Sequence, residues 1–169
     1  MSLTTQHLTL PSGRILDFQV SGASNGYPLV FIHGTPGSLI PVTTLVPACE
    51  RLNVKLVTMS RAGYGGSTRD KGRKVVDAVD DIAELLRHLG IGECVVGGWS
   101  GGGTNIMGKI PVATRKLLTS LTGPVALACA ARLQGCRAVL CIAGVAPYVD
   151  SAGRPVAGLD WLEGQGEDS

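Results

Sequence analysis

Apolar residues recur along this chain in two distinct periods, and the alternation between them lays out most of the architecture. Gln6 to Leu10 and Arg14 to Ser21 alternate apolar and polar residues, separated by Pro11-Ser12-Gly13. That pattern predicts two short strands joined by a hairpin turn. Pro28-Leu29-Val30-Phe31-Ile32 is instead continuously apolar, as a strand covered on both faces must be. Val54 to Met59, the short run Cys94-Val95-Val96, and Ala138 to Ala143 predict further buried strands. Between them, Val75, Val79, Ile82, Leu85, Leu86 and Leu89 fall on one face of a helix over 75–89, which Gly90 stops. His88 in its last turn reads as a surface residue suited to the helix dipole. Ser38 to Leu52 predicts a poor helix, interrupted by Pro41 and Pro47. Pro124 to Gln134 is a second amphipathic helix. Strands alternating with helices after an opening hairpin predict an α/β fold with a mostly parallel sheet and helices on both faces. Its ligand site belongs at the carboxyl ends of the strands.

Three glycine-rich stretches fall at those ends. His33-Gly34-Thr35-Pro36-Gly37 follows the third predicted strand, and Arg61-Ala62-Gly63-Tyr64-Gly65-Gly66-Ser67 follows the fourth. Gly98-Trp99-Ser100-Gly101-Gly102 follows the fifth and fits the pattern G-x-S-x-G. In such an elbow the serine sits on a sharp strand-to-helix turn, and side chains on the neighbouring residues would collide with strand and helix. The turn presents the serine Oγ to substrate. The backbone N–H of the next residue, Gly101, points to where an oxyanion would form.

Composition narrows the alternatives. The chain has 169 residues, enough for one real core, and 44% of them are hydrophobic. A formal net charge of +2 with both signs scattered gives no footprint for nucleic acid. No apolar window is long enough for a membrane span, and no signal peptide is visible at the N-terminus. Cys49, Cys94, Cys129, Cys136 and Cys141 are odd in number and lie mostly in apolar runs. They read as reduced core residues of a cytoplasmic protein. They lack C-x-x-C spacing, so no metal site is expected. No G-x-G-x-x-G follows a strand, so no dinucleotide cofactor is expected either. Gly103 to Lys109 approaches a P-loop, but position 110 is Ile where Ser or Thr would hold Mg²⁺.

The three glycine-rich motifs, in this order, resemble the α/β-hydrolase family, specifically its serine-nucleophile esterase and peptidase-like branch. The resemblance covers the chain from about Gln6 to Gly103 and resumes at Pro124. It implies Ser100 as nucleophile, with the N–H groups of Gly101 and Thr35 forming an oxyanion hole. His33, Gly34, Gly98, Trp99 and Gly102 then shape the elbow and its neighbouring loop, and Arg61 to Ser67 brace the site floor. A small-molecule ester or amide is the implied substrate, cleaved through an acyl-enzyme without a cofactor. Epoxide hydrolysis and dehalogenation are disfavoured, since those branches use a carboxylate where Ser100 stands.

Two departures stand against that pattern. The family's order is serine, acid, histidine, yet His7, His33 and His88 all precede Ser100. Complete members of such a fold need roughly 250 residues, so the reading is a C-terminally truncated chain, inactive or strongly impaired, with an exposed sheet edge open to self-association. The alternative is a non-catalytic binding or interaction protein. Residues 1–149 are expected to form the partial core domain, and 150–169 the start of a lid. Second, residues 104–123 separate the elbow from the helix that should follow at once. Removing them joins Gly103 to Pro124, a normal junction, so the segment reads as an atypical insertion whose expected origin is a translated intron, with a genuine surface insertion as the alternative.

Overall fold

The computed structural model describes residues 4–34, 37–41, 43–74, 76–99 and 124–142. Within them the chain forms six strands and three helices. The strands are β1 (Gln6–Thr9), β2 (Ile15–Gly22), β3 (Tyr27–Ile32), β4 (Val54–Met59), β5 (Cys94–Trp99) and β6 (Cys136–Ile142). The helices are α1 (Leu45–Arg51), α2 (Asp77–His88) and α3 (Pro124–Arg132). One sheet holds all six strands in the order β1-β2-β4-β3-β5-β6. β1 and β2 form the antiparallel hairpin, and β2 runs antiparallel to β4. β4, β3, β5 and β6 are parallel, each joined to the next in sequence by a helical crossover. The α/β class, the mostly parallel sheet and the helices on both faces are as the apolar patterning predicts.

Period-two alternation sorts the strand residues onto two faces. Leu16, Phe18, Val30, Ile32, Val57, Met59, Cys94 and Val96 point to one face, where Val79, Ile82, Leu85 and Leu86 of α2 and Ala126 and Cys129 of α3 cover them. Leu29, Phe31, Val54 and Leu56 point to the other, against Leu45, Val46 and Cys49 of α1. Arg14 and Asp81 tie the hairpin to α2 through two bonds, one of 3.1 Å, and the Asp81 carboxylate is nearly buried. This paired charge raises the Arg14 pKa further.

The first helix is shorter than the sequence predicts. Instead of 38–52, only Leu45–Arg51 is helical. Pro47 stands in its first turn, where a missing N–H removes no helical bond, and Pro41 lies outside it. His88 is exposed at the end of α2, yet its ring meets Phe18 edge-on at 5.8 Å. Cys49, Cys94 and Cys129 are buried, and Cys136 and Cys141 are half-buried. Burial pushes the Cys94 thiol up to about 11, and those of Cys129 and Cys136 upward too. Among the described residues no helix is long and apolar enough to cross a membrane, and no group of side chains could hold a metal ion. The segment 104–123, the P-loop-like run 103–110 and the expected lid start lie outside the described residues.

Candidate active site

The register of the central strands sets the geometry. Ile32 of β3 pairs with Gly98 of β5, so the His33-Gly34 turn emerges beside the end of β5. Met59 of β4 pairs with Ile32, which brings the loop after β4 to the same end of the sheet. Two of the three glycine-rich stretches and the entry to the third therefore meet at the carboxyl ends of adjacent strands. Ser100, Gly101, Gly102 and Thr35 lie outside the described residues; His33, Gly34, Gly98 and Trp99 lie within them.

The glycines in β5 answer to packing on both faces. A Cβ on Gly98 would stand 3.0 Å from the Cβ of Ala126, so the absence of a side chain lets α3 lie close against the strand. A Cβ on Gly97 would meet the Phe31 ring at 3.1 Å on the opposite face. Trp99 is 42% exposed at the strand's end, next to Ser100 in sequence. A side chain at Gly37 would come within 2.9 Å of both the Gly34 carbonyl and His33 Nδ1, so the turn after β3 closes tightly on itself.

His33 is held by backbone on both ring nitrogens. The Arg61 N–H donates to Nε2 at 3.1 Å, which leaves Nε2 no proton of its own. Nδ1 must then carry the proton, and it donates to the Gly34 carbonyl at 2.7 Å. The ring is thus a neutral bridge between the turn after β3 and the loop after β4. Burial pushes its pKa below the ordinary histidine value, and the nearby Arg61 and Arg73 cations lower it further, against the opposing pull of the Gly34 bond. Both nitrogens are engaged in structure, so this imidazole has no lone pair with which to take a proton from a nucleophile.

Arg61 adds a second tie to the same turn. Its Nη2 donates to the Gly34 carbonyl at 3.2 Å, and its guanidinium lies 4.8 Å from the centroid of the Tyr64 ring. The Tyr64 ring also meets His33 edge-on at 5.1 Å. Arg61 is buried, which lowers its pKa from the usual guanidinium value.

The loop carrying these residues is anchored to β2. Asp17 accepts the Gly66 N–H at 2.6 Å on one carboxylate oxygen and His7 Nδ1–H at 2.8 Å on the other. Its own N–H donates to Ser67 Oγ at 2.9 Å, and Ser67 Oγ donates to the Ser60 carbonyl at 2.7 Å. The Asp17 carbonyl accepts the Ser60 N–H at 3.0 Å, and Ser60 Oγ accepts the Leu39 N–H at the same distance. Asp17, Ser60 and Ser67 are all buried. The sequence gives no separate sign of this cluster, because Asp17 occupies the polar phase of an alternating strand. That phase reads as solvent-facing until the loop after β4 is seen to cover it.

The other two histidines lie away from the end of β5. His88 closes α2, and its ring packs on Phe18 of β2, three strands from β5 in the sheet order. His7 lies on β1, at the far edge of the sheet order.

Comparison with known proteins agrees with this topology. A family model described as the alpha/beta hydrolase fold matches residues 27–107. Among solved structures, a hydrolase from Pseudomonas aeruginosa aligns with a TM-score of 0.54 at 21% identity, covering 57% of this chain and 37% of its own. A carboxylesterase structure from Nitrososphaera gargenis aligns at 0.51 and 26% identity, covering 56% and 36%. An epoxide hydrolase from Vigna radiata aligns at 0.58 and 16% identity, covering 82% and 38%. No curated protein matches the chain. The chain thus spans somewhat over a third of the length of these solved hydrolases. With the match over residues 27–107, the strand order and these neighbours in agreement, the described part of the chain has the α/β-hydrolase fold.

Proposed function

We propose that this chain carries the nucleophile half of a serine hydrolase that cleaves a carboxylic ester or amide through an acyl-enzyme on Ser100. One observation carries the reading. β5 lies in parallel register between β3 and β6, and its last residue, Trp99, leads directly into Ser100 of a G-x-S-x-G pattern. Attack by Ser100 Oγ on the substrate carbonyl would give a tetrahedral oxyanion. The Gly101 N–H and a donor from the turn after β3, for which Thr35 is the candidate, would stabilise it. Its collapse would break the ester or amide bond and expel the alcohol or amine, which takes up the proton lost by Ser100, and water would then release the acid from the acyl-enzyme. Residue 100 is a serine rather than a carboxylate, which favours this chemistry over the alkyl-enzyme route of epoxide opening.

Both ring nitrogens of His33 are engaged by backbone, and His7 and the ring of His88 lie at β1 and β2, three or more strands from β5. These 169 residues alone are therefore expected to hydrolyse esters only at the level that binding and an oxyanion hole supply, several orders of magnitude below a complete triad. That same observation favours a second reading, a non-catalytic hydrolase-like protein that binds a ligand in the cleft. Incubation with a fluorophosphonate probe, against an S100A control, separates the two. Slow labelling confined to Ser100, and faster than that of the denatured chain, supports the nucleophile; a folded chain labelled no faster than the denatured one favours the binding protein. The reduced cysteines fit a cytoplasmic setting, and the exposed edge of β6 suits self-association.

Residues 104–123 read as an insertion. In support, Ala126 of α3 packs directly against Gly98 of β5, so the helix begins beside the strand that it would follow without them. Transcript reads that join codon 103 to codon 124 would support a translated intron; uniform coverage through the segment would dismiss it.

A further inference from the structure

The loop after β4 is not merely adjacent to the candidate site. It is fastened to Asp17, a carboxylate on the adjacent strand β2 that belongs to none of the three glycine-rich motifs. Asp17 grips the loop three times: its carboxylate holds the Gly66 N–H, its N–H holds Ser67, and its carbonyl holds Ser60. These contacts fix both ends of the segment that carries Arg61 and Tyr64. Arg61 in turn supplies the N–H that selects the His33 tautomer, and Tyr64 packs its ring against His33.

The fit around the carboxylate is close. A Cβ at Gly66 would stand 2.3 Å from Asp17 Oδ2, and a Cβ at Gly65 2.5 Å from Ser60 Oγ, so the glycines allow the loop to settle onto these groups. The Asp17 side chain is 6% exposed, whereas its partner His7 is 63% exposed. A buried carboxylate survives only with its lone pairs satisfied, and here Gly66 and His7 satisfy one oxygen each.

We propose that Asp17 is a positioning residue: by clamping the loop 60–67 onto β2 it holds Arg61 and Tyr64 against His33, and so sets the geometry of the His33-Gly34 turn. Under the proposed function this turn leads to the second oxyanion donor, and on that point alone the inference rests on that reading. The clamp itself does not.

The test uses the ring nitrogens rather than turnover. The chain has three histidines, so long-range ¹H–¹⁵N spectra of the ¹⁵N-histidine-labelled protein resolve each ring. Wild-type protein is expected to show His33 as a single Nδ1–H tautomer. D17A should lose that lock and give both tautomers, while D17N, whose amide oxygen still accepts from Gly66, should restore it. R14A removes a different tie, to Asp81, and lowers stability without moving His33. A folded D17A with an unchanged His33 tautomer would overturn the proposal, as would an R14A that shifts it equally. If D17A does not fold, G66A pushes on the same carboxylate, and an unchanged His33 in that variant would count equally against the clamp. Fluorophosphonate labelling of Ser100 decides the hydrolase reading separately, because neither outcome there alters the tautomer.

Discussion

The two faces of the sheet are built differently. On the α2 and α3 face, apolar side chains from all six strands meet apolar side chains from two helices, and Leu16, Val30, Val57, Ile82, Leu85 and Val96 are completely buried. On the α1 face, a small apolar cluster covers the middle of β3 and β4, and then gives way to polar groups. Asp17, Gln19, Thr58 and Ser60 lie buried toward the site end. Trp99, Leu140 and Ile142 remain exposed toward β6. One face holds the fold together; the other holds loops in place. The burial of apolar area without direction suffices for the first, but the second needs hydrogen bonds with specific partners.

Substitutions can break this contrast in order of size. Leu85→Ala removes a fully buried side chain from the first face and should cost about 3 kcal/mol, read from denaturant unfolding. A loss under about 1 kcal/mol would mean that the core relaxes to fill the space. Gly98→Ala forces α3 outward and should cost about 1–3 kcal/mol. Gly97→Ala meets only a Phe31 ring able to turn, and should cost less. Equal costs would erase the distinction between the faces at β5. Removing residues 104–123 should preserve the fold and stabilise it by about 1–2 kcal/mol, since a shorter connection loses less entropy on closure; an unfolded product would show the segment to be structural.

Acid acts on the second face. His33 is held neutral with a depressed pKa, whereas in the unfolded chain it takes a proton near the ordinary value of 6.5. Its contribution to stability is therefore complete above that value and falls as the pH drops toward the folded-state pKa. Thermal melts between pH 7 and pH 5 should show a shallower acid slope in His33→Asn. Smallest of all, Leu140→Ser on the exposed part of β6 should change stability by less than about 0.5 kcal/mol. If β6 mediates self-association, the same change should move the sedimentation profile toward monomer.

The sequence made the first face legible and most of the second obscure. Continuous apolar runs such as Pro28–Ile32 and Val54–Met59 can satisfy their burial only inside a covered sheet, so their assignment needed no tertiary knowledge. The helix before β4 was harder, because Pro47 reads as a breaker unless the start of the helix is known to be Leu45. The glycine-rich motifs located the site end, but not how it is fastened. Asp17 lies about fifty residues from Gly66 in sequence, and nothing local distinguishes it from a solvent-facing strand residue. The same is true of the bond from Arg61 to His33. Long-range polar pairing leaves no periodic trace, while apolar burial does.

The strand order carries a consequence for how the chain assembles. The hairpin β1-β2 forms from neighbouring residues, yet β2 docks on β4, beyond the whole of β3 and α1. β3 likewise acquires no partner until β4 has been made, and β5 comes later still. During synthesis from the N-terminus, the apolar run at β3 must therefore emerge and wait for segments that follow it. A topology so rich in distant pairings folds slowly, in milliseconds to seconds rather than microseconds. In that interval the exposed β3 segment is the part of the nascent chain most in need of a chaperone.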